Sequence, residues 1–167
     1  MRVGVKVTGV KLATGFTSRT TQAAEAAARS VFPELNSAFQ AAINAPVWDW
    51  PRTTYRGGTY RRDGSRTKGK EVGSPRNIVD NGTLRASNSF TVNGLTATFK
   101  WSVGYATAVH YGANIHPWGD KDRPKVNLPA RPWTSAVLGV VKISDIEEYD
   151  YNGAFNRAFI REWNKIK

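Results

Sequence analysis

Two histidines, four clustered carboxylates and one run of arginines and lysines are the side chains of this 167-residue chain whose types and spacing could do chemistry. His110 and His116 are separated by a glycine turn, which is not the one-face helical spacing of a zinc pair. The chain has no cysteine, which excludes thiolate zinc, iron–sulfur clusters, disulfides and a cysteine nucleophile. Asp120 and Asp122 could add oxygen ligands beside His116, but loop carboxylates near a histidine are ordinary, and the expectation is no metal. Asp145, Glu147, Glu148 and Asp150 crowd one short stretch, whereas glycosidase-type chemistry needs two carboxylates held across a cleft. No G-x-S-x-G elbow, H-E-x-x-H pair or phosphate-cradling G-x-x-x-x-G-K-[ST] loop occurs. The residues therefore point away from an enzyme, with no catalytic residue and no cofactor expected.

The basic run is the strongest local signal. Arg52, Arg56, Arg61, Arg62, Arg66, Lys68 and Lys70 are opposed only by Asp63, and Trp48, Trp50, Tyr55 and Tyr60 are interleaved with them. Cations mixed with aromatic rings can pair phosphates and stack bases. Two other readings stand beside that one: a solvated insertion whose charge keeps it soluble, and arginines that dock onto acidic protein surfaces. The whole chain holds 24 Lys+Arg against 13 Asp+Glu, a net charge of +11, and this stretch alone carries +6 of it. The excess is thus local. No helix–turn–helix, zinc-finger or RNA-recognition signature accompanies it, so any DNA contact would run through the backbone without sequence specificity.

The elements that must position these groups read as one α+β domain over 1–167. Val3, Val5 and Val7 alternate with polar or small residues, the period of a half-exposed strand. Ala24, Ala28, Val31, Leu35, Ala38, Phe39 and Ala42 put one apolar face on a helix from about Arg19 to Asn44, capped by Ser18, kinked at Pro33 and ended by Pro46. Residues 51–76 show neither period and read as a long flexible basic loop or arm. Leu84 to Val92 and Leu95 to Val103 flank Asn93-Gly94 as a hairpin, with Leu95, Ala97, Phe99, Trp101 and Val103 turned toward the helix. Tyr105 to Tyr111 predicts a short helix, Ala113 to Pro124 an irregular loop and Lys125 to Leu128 an extended piece. Pro132 is placed to open a helix through Leu138. Ser144 and Glu147 have capping-box spacing ahead of a terminal helix with Phe155, Phe159, Trp163 and Ile166 on one side, and Asn152-Gly153 is a candidate break in it. The expected architecture is an antiparallel β-sheet packed by a long N-terminal helix and a C-terminal helix, with a long basic loop. No apolar run is long enough to span a membrane and MRVGVKVTGV lacks a signal-peptide core, so a soluble, unexported protein is expected.

Three segments together carry a family resemblance. NGTLRAS (Asn81 to Ser87) resembles the "T-G-x-L-x-x-S" element of the tail-completion family of head–tail joining (neck) proteins in long-tailed bacteriophages. VGYATAVHYGA (Val103 to Ala113) is similar to its "Y-A-x-x-V-E-x-G" element, and LPARPWTSAVL (Leu128 to Leu138) to its "P-A-R-P-F-L-x-x-A-L" element. Order and spacing agree, and the departures are Asn81 for Thr, His110 for Glu and Trp133 for Phe. Gly82, Leu84, Tyr105, His110, Gly112, Arg131, Pro132 and Trp133 are the motif positions expected to serve as scaffold or interface. In that role Gly82 would permit a turn before a strand, Gly112 a left-handed helix stop, and Arg131 a preordered guanidinium for a carboxylate or helix carbonyl.

The resemblance implies a virion structural protein that assembles into a ring, by expectation a hexamer, at the head–tail junction after synthesis in the host cytoplasm. Its partners would be copies of itself, the neighbouring head-connector and tail-tube or tail-terminator proteins, and genomic double-stranded DNA passing through the lumen, with no membrane. A tail-terminator ring is the alternative within that class, and a non-specific DNA-binding protein using its basic arm the alternative outside it.

Overall fold

The structure is a computed structural model and describes residues 3–8, 18–48, 54–56, 70–72, 82–116 and 125–166. Strand β1 (Val3–Thr8) pairs antiparallel with β5 (Thr96–Trp101), which pairs antiparallel with β4 (Asn88–Asn93), so β5 is central in the order β1-β5-β4. The register places Val5 opposite Phe99 and Phe90 opposite Phe99 on its other side, which keeps the apolar residues of all three strands on one face. Ala97, Phe99 and Trp101 are fully buried there, as their alternation predicts. The connection between β4 and β5 lies one residue later than expected. Asn93 pairs with Thr96 and the turn is Gly94-Leu95, with positive φ (56°) at Gly94 alone, the pattern of a type II′ turn.

Helix α1 (Ser18–Ile43) is the middle layer. Phe32 meets Phe99 of the sheet edge-on at 6.5 Å and stacks on Tyr151 of α5 (Tyr151–Lys165) at 6.1 Å. Because α1 is covered on two sides, Ala23, Ala27, Phe32 and Ile43 are buried in addition to the single face expected from the sequence. Small alanines on α1, with Ala154 and Ala158 on α5, let the two helices approach closely. Pro33 lies inside α1 on its exposed side, and its missing N–H removes one ladder bond, that to the carbonyl of Arg29. Beyond α1 a 3-10 turn (Pro46–Trp48) follows, and the indole N–H of Trp48 donates to the carbonyl of Ala42, one of the groups that a helix end leaves orphaned.

Three further sequence expectations are corrected. Leu84 lies on a short helix α2 (Thr83–Ala86), not on a strand, because Gly82 takes a left-handed conformation (φ 75°, ψ 0°) that redirects the chain. Ser144 and Glu147 form no capping box: α5 starts at Tyr151, where the Asp150 carboxylate accepts from the Gly153 N–H at 2.8 Å. Asn152-Gly153 does not interrupt α5 but forms its first turn, and Tyr151, Phe155, Phe159 and Trp163 stack in succession along it. The fold class stands as expected: α+β, with α1 and α5 packed together and small antiparallel sheets.

Candidate functional site

Two of the three motif segments, 103–113 and 128–138, meet in one buried joint. Helix α3 (Ala106–Tyr111) ends at Gly112, whose φ of 76° and ψ of 158° fall in a region open essentially to glycine alone, not in the left-handed helical region expected of a stop. A Cβ there would stand 3.0 Å from both Ala130 N and Leu128 O, so the glycine also permits a close backbone approach. That approach lets β6 (Ala113–Ile115) pair antiparallel with β7 (Val126–Leu128), so the expected irregular loop begins as a strand. The pairing returns residues 129–131 across the end of α3. There the backbone N–H of Arg131 donates to Val109 O at 3.0 Å and His110 O at 3.2 Å, capping a helix from far along the chain. This contact belongs to the main chain of Arg131, not to the guanidinium for which the contact is expected, and the residue is buried, 7 % exposed.

Helix α4 (Trp133–Val137) follows, and Pro132 precedes it with ψ 62° instead of forming its first turn. Trp133 is fully buried, edge-on to Trp101 of the sheet at 5.6 Å and to His110 at 4.6 Å. His110 Nε2 lies 2.7 Å from the Thr134 hydroxyl, and burial lowers the pKa of the imidazole from its ordinary 6.5. A neutral ring between a hydroxyl and two aromatic rings suits this pocket. Thr134 carries no motif or periodic signal in the sequence, because its partner His110 lies 24 residues earlier. Ser102 N donates to Ser87 O at 3.2 Å, joining the α2 segment to the same end of the sheet, with Leu84 buried beneath it.

Around this joint large apolar side chains are left in solvent: Tyr105 is 46 % and Tyr111 68 % exposed, and Ile115 is exposed on β6. Aromatic rings so displayed are the composition of protein interfaces.

Of the basic run, Arg52, Arg61, Arg62, Arg66 and Lys68 lie outside the described residues. Arg56 and Lys70 lie on two short strands, β2 (Thr54–Arg56) and β3 (Lys70–Val72), which pair antiparallel with Arg56 opposite Lys70 and Tyr55 opposite Glu71. The stretch read as a loop without strand character therefore contains a two-stranded ladder, invisible to periodicity because each strand has three residues.

The acidic stretch lines a groove of about 500 Å³ floored by Ala38, Ala41 and Ala45 of the α1 end. Asp150 is engaged as the α5 cap and lies 3.8 Å from Arg157. Among the described residues Asp145 and Glu147 have no cationic partner, and both are exposed. Tyr149 holds the segment down: its N–H donates to Val137 O and its hydroxyl to Glu34 at 2.8 Å, while burial, then that hydrogen bond, raises its pKa. Among the described residues no group of three or more His, Asp or Glu is placed to hold a metal, and no helix is long and apolar enough to cross a membrane. No family model, curated protein or solved structure matches the chain.

Proposed function

We propose that the chain is a structural subunit of a tailed-phage neck, assembling into a ring that completes the tail end and joins it to the head connector. The observation that carries the reading is the meeting of two of the motif segments, 103–113 and 128–138, in one buried joint, with Tyr105 and Tyr111 of the first displayed outside it. Side chains spent on a rigid joint give an interface a fixed geometry, and exposed aromatics beside it provide the surface to bury. A ring closes through a heterologous contact, so each subunit must offer two different lateral faces. The basic arm is the element of this chain suited to an acidic neighbour or to the DNA in the lumen. The role is one of assembly and needs no catalytic group.

Electron microscopy of purified virions with a label on this chain tests the proposal. Label at the head–tail junction supports it, and virions that carry no label there defeat it. A tail-terminator role would place the label on isolated tails before heads are attached.

A further inference from the structure

The three-stranded sheet packs α1 with one face, and its other face is open to water. We infer that this open face, bearing Lys6 and Lys100, contacts the phosphate backbone of duplex DNA without reading its sequence, as a second surface apart from the basic arm. The inference rests on the neck reading only for where that DNA lies, in the lumen. Alternation fixes what the face carries: the apolar residues of β1, β4 and β5 share the α1 side, so the residues between them point outward. Those outward residues are Gly, Lys, Ser, Thr and Asn, and none is Asp or Glu. Lys6 stands opposite Thr98, which stands opposite Thr91, and Lys100 stands between Gly4 and Ser89. The two lysines are thus diagonal neighbours, about 7–8 Å apart at the backbone. Both are exposed, and neither makes an ion pair or side-chain hydrogen bond among the described residues. Glu25, beside the Gly94 turn at one end of the sheet, pairs with Arg29 at 3.7 Å.

The chemistry of the face selects its partner. A lysine on an edge strand such as β1 also guards against stray pairing, but Lys100 lies on the central strand, where both ladders are filled and no guard is needed. Lysines are donors only, and the Ser and Thr hydroxyls around them donate too, so the face is an array of donors for anionic oxygens. Carboxylates of a protein partner are held best by forked guanidinium groups, whereas lysine serves phosphate as a point charge, and the basic residues of this face are both lysines. The face carries no aromatic ring, so it lacks the stacking platform that single strands require. Its side chains other than the lysines are short, and base edges inside a groove stay out of their reach. What such a face can hold is the backbone of a duplex. Two lysines per subunit grip weakly, which lets DNA slide past the surface that guides it.

Amide NMR of the full chain, titrated with a duplex of about 20 base pairs at about 0.05 M salt, tests this. The titration is run on Arg61→Ala/Arg62→Ala/Arg66→Ala, which reduces the arm's share of binding, and again with Lys6→Gln/Lys100→Gln added. In the first variant the amides of Lys6, Thr98 and Lys100 should shift with added duplex, while those of α5, on the far side of α1, stay in place. The added pair should weaken binding by at least about fivefold and make the slope of log affinity against log salt shallower by about 1 per lysine. Both lysines are exposed, so the amide spectrum away from the face should be unchanged by their replacement. Face amides that do not move with duplex overturn the inference, and so does a salt slope that the two substitutions leave as it was. Equal shifts with polyglutamate overturn it as well, and would give the face to an acidic protein. Shifts at the face without label at the virion junction would retain the DNA surface and discard the neck; label at the junction with a silent face would do the reverse.

Discussion

The joint around His110 and Trp133 and the groove walled by Asp145 and Glu147 lie on either side of α4, and they solve opposite problems. The joint buries an imidazole, a guanidinium-bearing residue and two indoles, and it keeps its titratable ring neutral. The groove leaves Asp145 and Glu147 exposed to water, where salt screens interactions between charges. One region stores its specificity in geometry, the other in charge. Stability should therefore reside in the first far more than in the charged groups of the chain, a division that four measurements can break or sharpen.

The largest effect belongs to Trp133. Trp133→Ala removes a fully buried ring from contact with Trp101 and His110 and should cost about 3–5 kcal/mol in urea unfolding. A loss below about 1 kcal/mol would show that the joint is not where the stability lies. Next is Gly112→Ala, which forces a side chain into a positive-φ conformation and against Ala130 and Leu128, with an expected cost of about 1–3 kcal/mol. Loss of the β6–β7 pairing should accompany it, read as faster amide exchange at Asn114 and Asn127, which oppose each other there.

A smaller effect depends on pH. The folded state holds His110 below its ordinary pKa of 6.5, so the unfolded chain binds the proton more readily. The stability contributed by neutral His110 is full above pH 6.5 and declines as the pH falls below it through the folded pKa. His110→Gln should flatten that decline relative to the native chain, measured as denaturation midpoints from pH 8 to pH 5. An unchanged slope would remove the imidazole from the pH response. Smallest of all is the stability change in Arg61→Ala/Arg62→Ala/Arg66→Ala, expected within about 0.5 kcal/mol of native in the same unfolding assay. A larger loss would mean that the arm is part of the folded body. If the same variant keeps the native affinity for DNA across a salt titration, backbone binding to DNA is removed as its role.

Periodicity made the layers legible. The valine alternation of β1, the apolar steps of α1 and the alternating β5 are long local patterns, and all three elements form where their patterns run. What escaped was decided by contacts distant in the chain. The second buried face of α1 exists because α5 returns to cover it, and the pairing of β2 with β3 joins three-residue strands across residues 57–69. Leu84 continued an alternation that Gly82 breaks by turning the chain into α2. Ser144 and Glu147 have the right spacing for a cap, yet the carboxylate that accepts a helix-start N–H is that of Asp150, so the helix starts at Tyr151. At the joint, the motif residues were recognisable singly. Their meeting was not, because the Arg131–Val109 hydrogen bond depends on the backbone approach at Gly112.

The two-sided burial of α1 also sets an order of events at the ribosome. Its sheet-facing partner, Phe99 of β5, and its other partner, Tyr151 of α5, are both translated long after Ile43. At ~5–20 residues per second, on the order of ten seconds separate completion of α1 from the emergence of α5. Until β5 emerges the helix's phenylalanines have nowhere to pack, and until α5 follows one of its faces stays open, a substrate for holdase chaperones. Chains stalled before Tyr151 should stay chaperone-bound, and release should coincide with synthesis of the last helix.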